Sequence, residues 1–185
     1  CFGFNAGSAL EANGSAALAM MNTFVGTAAA GLAWMLAEKL AGHKPSALGF
    51  CSGIVAGLVA VTPAAGNSGP LGAIVLCFVT PFVCYFAVTK LKHMLGYDDA
   101  LDTFGVHGVG GMCGAMGTGV VYSAALGGPA GQSWMGMGAQ LLVQGETVLT
   151  TIDQNETLEA YVQVPIERAD ELKNGLPIRI LSGDS

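Results

Sequence analysis

The feature that most constrains the fold of this 185-residue chain is the length of its stretches without a charged residue. Three such stretches cover residues 12–37, 45–89 and 103–145. A helix needs about 20 predominantly apolar residues to cross the hydrocarbon core of a bilayer. The first stretch therefore predicts one membrane-spanning helix, and the second predicts two with a turn between them. The third stretch predicts one more membrane-spanning helix and the start of another. Together, the three stretches nearly exclude a soluble helical protein.

The charged residues are distributed unevenly along the chain. Residues 1–144 hold nine of them and residues 145–185 hold the other eleven, whereas 25 of the 28 glycines precede residue 145. This shift indicates two environments, lipid for the first part and water for the second. We therefore predict a membrane domain over 1–144 and a soluble tail over 145–185. Apolar residues alternate at 161–164 and 177–180, a pattern typical of water-facing strands.

Caps and turn residues divide the membrane domain into helices. Asn13 or Ser15 is the expected cap of the first complete helix, and Asp102 is the expected cap of the fourth. The predicted helices cover residues 13–40, 46–61, 71–95 and 103–125, with the start of a fifth at 134–144. Lysines flank the loops at 38–45 and 90–102, so the positive-inside rule places both loops in the cytoplasm. The predicted fold class is an all-α polytopic membrane bundle of about four to five spans with a short β-rich C-terminal tail.

Small residues recur at helical spacing within the predicted spans. Gly49, Gly53 and Gly57 follow one another every four residues, and so do Gly110 and Gly114. Helices in lipid associate through close contact between small faces, because lipid provides no hydrophobic drive for association. We interpret these glycines as packing positions in a compact bundle that is suited to enclosing a narrow pore.

His107 is the sharpest candidate for a functional residue, because it is an ionisable residue inside an otherwise uncharged predicted span. Ionisable groups within a membrane span mark substrate pathways by default. The alternative is a buried histidine that hydrogen-bonds a carbonyl group. His43 and His93 lie in the basic loops, and we interpret both as solvated loop residues.

The other polar residues of the spans predict little by themselves. Ser52 and Thr62 carry hydroxyls of the kind that usually bond back to their own helix. The five cysteines form no CxxC pair and are interpreted as small packing residues, so neither a metal site nor a cofactor is expected. The domain has no nucleophile–base pair, carboxylate pair or phosphate-binding loop, which argues against an enzyme. No basic patch with interleaved aromatic residues suggests nucleic-acid binding. The residues alone thus indicate a small-solute channel or transporter and do not name the solute.

Several motifs in the membrane domain resemble those of the ammonium transporter family. They occur in the family's order and together extend over residues 1–144. The matching runs are residues 2–8 (FGFNAGS), 44–46 (KPS), 51–59 (CSGIVAGLV), 61–64 (VTPA) and 102–111 (DTFGVHGVGG).

The resemblance implies a multi-span membrane protein that forms homotrimers, with one pore for ammonium or ammonia in each subunit. It implies that His107 is one of two pore-lining histidines and that Phe4 belongs to a phenylalanine gate. It also implies that Ser8 supplies a hydroxyl at the outer recruitment site and that Asp102 lies at the cytoplasmic end of the pathway. The expected location is a bacterial inner membrane, and a PII-type protein is a candidate regulator. The partner histidine has no counterpart in this sequence, so we expect the chain to be an incomplete fragment that is inactive alone.

The tail resembles a different family, the periplasmic adaptors (membrane fusion proteins) of multidrug efflux pumps. The resemblance rests on residues 147–155 and 165–169 and extends to residue 184. It implies a strand-rich, periplasmic piece that joins the membrane domain near residue 144, either as a natural fusion or as a misassembled reading frame. The alternative function is therefore a membrane-anchored adaptor component of an efflux system. Four spans are more than such an anchor needs, which favours transport.

Overall fold

The computed structural model describes residues 1–122, 126–127 and 142. All of them belong to the first of the two units into which the chain divides, Cys1–Ile152. The predicted fifth helix at 134–144, apart from residue 142, and the predicted β-rich tail lie outside the described residues. Both remain predictions.

The described part of the chain is helical throughout its regular structure. Two π-helical turns interrupt the helices. The helices are α1 (Phe2–Gly7), α2 (Gly14–Leu40), α3 (Ala47–Val61), α4 (Pro70–Phe86), α5 (Lys92–Leu95) and α6 (Val109–Val121), and the π-helical turns are Ala87–Leu91 and Phe104–Gly108.

Helix starts follow the capping residues that the sequence carries. The Asn13 side chain accepts hydrogen bonds from the N–H groups of Ser15 and Ala16 at 3.0 Å and 3.2 Å, which confirms Asn13 as the cap of α2. Ser46 caps α3 through Oγ, which accepts from the Gly49 N–H at 2.8 Å. Each cap satisfies N–H groups that have no partner inside the helix.

Two helices in the described part are long and apolar enough to cross a membrane, judged by length and composition. They are the predicted spans Gly14–Leu40, with 27 residues, and Pro70–Leu95, with 26 residues, which runs through the first π-helical turn into α5. α3 is apolar but has only 15 residues. At about 1.5 Å per residue it is roughly 22 Å long.

Small residues form the core and let the helices approach closely. α2 packs against α3 and α4, and α6 packs against α3 and α4. A Cβ atom added at Gly53 would lie 2.6 Å from Trp34 Cβ, and one added at Gly114 would lie 2.5 Å from Ala60 O. Because real Cβ atoms do not approach neighbours so closely, these contacts require glycine. The predicted packing role of these two glycines is therefore confirmed.

The expected cap at Asp102 is wrong, because a neighbouring carboxylate has that role. The Asp99 side chain accepts from the N–H groups of Phe104 and Gly105 at 3.1 Å and 3.0 Å. The backbone of Asp102 has a left-handed φ of 54°, and its side chain turns to Lys92 instead. The segment offers three aspartates within five residues, and only the turn geometry decides which one reaches the free N–H groups.

Candidate functional site

One cavity lies where α1, the start of α2 and the turn after α3 meet. Its volume is about 280 Å³, and its lining includes Phe4, Asn5, Ser8 and Thr62. We call it the turn cavity. Three of these residues are the predicted pathway residues Phe4 and Ser8 and the predicted span hydroxyl Thr62, so the structure brings them together. The Phe4 ring is 69% exposed and is accessible from this space.

The turn cavity contains hydrogen-bond acceptors from α1 and from the end of α3, beside the Ser15 hydroxyl and the Asn67 side chain. The hydroxyls of Ser8 and Thr62 donate to carbonyl groups one turn earlier in their own helices, at 2.8 Å and 2.7 Å, so their free lone pairs can only accept. Asn5 uses its Nδ2 to donate to Thr23 Oγ1 at 3.0 Å. The Oδ1 atom of Asn5 is buried and has no hydrogen-bond partner within the described residues. Such a lining suits a small ligand that is rich in N–H donors, and the Phe4 ring can add cation–π attraction.

A second cavity lies between the first half of α3 and the start of the last described helix. Its volume is about 250 Å³, and its polar lining consists of Ser52, Asp102, Thr103 and His107, with the Cys51 thiol beside them. We call it the loop cavity. The rest of its lining is aliphatic. The three remaining predicted residues, His107, Asp102 and Ser52, are therefore brought together as well.

His107 lies in the π-helical turn Phe104–Gly108 and is exposed towards the loop cavity. Within the part of the chain that the structure describes, no group hydrogen-bonds its imidazole. Among these residues, the alternative of a buried histidine bonded to a carbonyl group is therefore not observed. π-helical turns occur frequently at functional sites. A neutral imidazole without a protein partner can donate one hydrogen bond and accept another, which allows it to relay a proton.

One face of α3 connects the two cavities. Ser52, Val55, Val59 and Thr62 follow one another at intervals of three or four residues, so they share a face of the helix. Ser52 and Thr62 are ten positions apart, which corresponds to about 15 Å along the helix axis. A Cβ atom added at Gly111 would lie 3.7 Å from Val59 Cγ1, so α6 runs alongside this stripe. The stripe has a hydroxyl at each end and only apolar side chains between them.

An ion pair ties the loop at 96–102 to the start of α5. Lys92 Nζ donates to Asp102 Oδ1 at 2.8 Å and to the backbone carbonyl of Asp99 at 2.5 Å. Burial by itself would raise the pKa of Asp99, but the helix N–H groups and the Lys92 charge stabilise its carboxylate. The pKa of Asp99 is therefore held below its ordinary value of 3.8. This network positions the loop-cavity lining at Asp102.

Two buried asparagines were not singled out from the sequence. Asn5 is 6% exposed and lines the turn cavity, and Asn22 is completely buried and contacts the turn after α3. Asn22 lies within the charge-free stretch 12–37, where a carboxamide is expensive unless it is bonded. An asparagine within such a stretch therefore predicts a buried hydrogen bond between parts of the fold.

Comparison with known proteins gives one consistent family. The model of the Ammonium Transporter Family matches residues 1–155. The ammonium transporter of Aquifex aeolicus is 50% identical over 161 residues, which cover 87% of this chain and 38% of that protein. The ammonium transporter of Bacillus subtilis is 48% identical over 119 residues, which cover 64% of this chain and 30% of that protein.

Solved structures agree with the sequence comparison. The crystal structure of Saccharomyces cerevisiae Mep2 superposes with a TM-score of 0.67 at 35% identity, covering 82% of this chain and 36% of that one. Candida albicans Mep2 gives a TM-score of 0.68 at 34% identity, covering 80% of this chain and 34% of that one. The chain thus spans about a third of the length of the relatives that it matches.

The comparisons do not support the resemblance of the tail to an efflux-pump adaptor. The family match continues to residue 155, eleven residues beyond the boundary predicted at 144. The resemblance to this family that the motifs of residues 1–144 predicted is confirmed.

Proposed function

We propose that this chain, which belongs to the ammonium transporter family of membrane proteins, forms one wall of an ammonium-conducting pathway. The observation that carries the proposal is the α3 stripe, which joins an acceptor-lined cavity to a histidine-lined one. The family and its relatives support ammonium as the solute. The geometry of the two cavities supports the route.

The turn cavity is the proposed recruitment site. An ammonium ion has four N–H donors and no acceptor, so it matches the lone pairs of Ser8 and Thr62. The exposed Phe4 ring offers its π face to a cation.

The middle of the stripe is the proposed selective barrier. Val55 and Val59 offer no hydrogen bonds, so an ammonium ion that passes them loses its hydration without replacement. That loss is expensive for a charge and small for neutral ammonia. We therefore propose that ammonium transfers its proton to solvent water at the turn cavity and that the neutral ammonia molecule passes the valines. In the loop cavity, His107 then offers one donor and one acceptor to the nitrogen or to a proton relay.

The larger assembly is also part of the proposal. We propose a multi-pass protein of the bacterial inner membrane that assembles as a homotrimer, with the basic loops on the cytoplasmic side. A PII-type regulator remains a candidate partner at that side. This chain expressed alone is expected not to transport, because it spans about a third of the relatives' length and carries one of the two expected pore histidines.

The test is methylammonium uptake by a chimera in cells that lack their own ammonium transporters. Residues 1–122 of this chain replace the matching segment of the Aquifex aeolicus relative, with which the chain is 50% identical. We expect saturable uptake by the chimera. His107→Ala should reduce this uptake strongly, whereas the control substitution His93→Ala should leave it unchanged. If the chimera reaches the membrane and shows no uptake, or if His107→Ala has no effect, the proposed route is wrong.

A further inference from the structure

Two adjacent side chains of α2 each hold a different wall of the turn cavity. Asn22 is completely buried, and its Nδ2 donates to the carbonyl groups of Ala65 and Ser68 at 2.8 Å and 2.6 Å. Both carbonyls belong to the turn after α3, and Ala65 is itself part of the cavity lining. Thr23 is also completely buried, and its Oγ1 accepts from Asn5 Nδ2 of α1 at 3.0 Å.

The donors and acceptors of these bonds allow only one orientation of each side chain. Rotating the Asn22 amide would point its oxygen at two carbonyl oxygens, so the observed orientation is required. Thr23 Oγ1 donates to the Ala19 carbonyl at 2.6 Å, so towards Asn5 it can only accept. Asn5 must therefore use its Nδ2 for this bond, which leaves its Oδ1 without a partner in the described part of the chain.

The turn and α1 depend on these links for their position. α1 has only six residues, too few to be stable by itself. The turn at 62–69 carries buried carbonyl groups that need partners. Both elements bond to consecutive residues of α2, which is 27 residues long and packs against two other helices. The rigid helix thus sets the distance between the two walls.

We propose that Asn22 and Thr23 are positioning residues that set the width of the turn cavity and thereby the apparent affinity for the solute. Neither touches the solute; they act through Asn5 and Ser8 on one wall and Thr62 on the other. The proposal rests on the proposed function for its kinetic consequence. Its structural content, the separation of the two walls, does not depend on transport.

The kinetic test uses the chimera described above and the substitutions Asn22→Leu and Thr23→Val, which keep size and remove the hydrogen bonds. We expect KM for methylammonium to rise by roughly three- to tenfold, the range that one or two lost hydrogen bonds imply, while Vmax changes by less than about twofold. Thr23→Ser retains the hydroxyl and should keep the original KM. The matched control is Thr27→Val, because the Thr27 hydroxyl only bonds back to its own helix.

A double variant separates positioning from general damage. If Asn22 acts through the cavity, Asn22→Leu should raise KM much less in a Thr62→Ala background than in the original chimera, because the wall that Asn22 positions has already lost its acceptor. If Asn22 had a merely structural role, the two substitutions would raise KM by independent factors and would also lower Vmax. Equal KM values for Asn22→Leu, Thr27→Val and the unsubstituted chimera would overturn the proposal.

A cross-linking experiment on the whole chain tests the separation of the two cavity walls independently of transport. The substitutions Ala9→Cys and Gly66→Cys place thiols on opposite walls, and a Cβ atom at Gly66 meets nothing within 4 Å among the described residues. With the exposed Cys1 and Cys51 replaced by serine, a short bifunctional thiol reagent should join the two introduced cysteines efficiently. Asn22→Leu and Thr23→Val should lower the yield, and Thr27→Val should not. If the chimera shows no uptake but the cross-linking yields differ as expected, only the proposed function is refuted. If the cross-linking yield is equal in all variants, the positioning role is refuted.

Discussion

Substituting Gly53 by alanine tests how closely α3 must approach α2. The new Cβ atom would lie 2.6 Å from Trp34 Cβ and 2.7 Å from the Ala30 carbonyl oxygen. Because one contact is backbone and the other is the first side-chain atom of a buried residue, neither can rotate away. Overpacking of this kind costs about 1–3 kcal/mol. Alanine gains about 1 kcal/mol over glycine in helix propensity, which offsets part of that cost.

The net expectation is a loss of up to roughly 2 kcal/mol, the difference between these two terms. For a protein of this size, a loss of about 2 kcal/mol lowers the Tm by about 4–8 °C. The assay is thermal unfolding of the purified chain in detergent, followed by intrinsic tryptophan fluorescence, since Trp34 lies at the contact.

Gly111→Ala is the matched control for this substitution. In the part of the chain that the structure describes, a Cβ atom at Gly111 meets Val59 Cγ1 alone, at 3.7 Å, an ordinary van der Waals contact. There the helix propensity term acts alone, so the Tm should stay constant or rise. If Gly53→Ala and Gly111→Ala shift the Tm equally, the close approach of α2 and α3 is not what makes glycine necessary at residue 53.

Two further predictions concern the caps. Asp99→Asn removes the charge that caps the last described helix and should lower the Tm at neutral pH, whereas the exposed neighbour Asp98→Asn should not. Because folding lowers the pKa of Asp99 from 3.8, its contribution is complete above about pH 4 and is lost as the pH falls through the lowered pKa. The Tm difference between Asp99→Asn and the original chain should therefore shrink below pH 4, and a constant difference would contradict the capping role. Asn13→Ala removes the α2 cap and should cost about 1 kcal/mol by thermal unfolding, whereas Asn13→Asp keeps the acceptor; equal losses would exclude the side-chain cap.

Composition and local motifs predicted the helices because their causes are local. A charge-free stretch and a cap such as Asn13 depend on neighbours within a few residues, and the bounds of α2 and α3 follow from them. The choice between Asp99 and Asp102 as a cap did not follow, because it depends on the fold of a turn that places one carboxylate under the helix end. The π-helical turn that carries His107 was not predicted for the same reason.

The candidate site was predicted as a set of residues but not as two cavities. Phe4, Ser8 and His107 were identified by their motifs, yet their grouping depends on contacts between distant parts of the chain. Asn22 bonds residues 43 and 46 positions away, and Asn5 bonds a residue 18 positions away. Periodicity and spacing report only neighbours on one element, so they carry no information on such links.

The small-residue core explains why so few polar contacts are enough to shape the site. Close helices bury alanine and glycine, whose side chains lose no rotamer freedom on folding, so the backbone positions are set by direct contact. What such packing cannot position is a short helix such as α1 or a turn such as 62–69, because neither presents an extended small face. Those are the segments that Asn22 and Thr23 bond. Steric packing therefore sets the position of the apolar α3 stripe, and buried hydrogen bonds set the position of the polar cavity at its end.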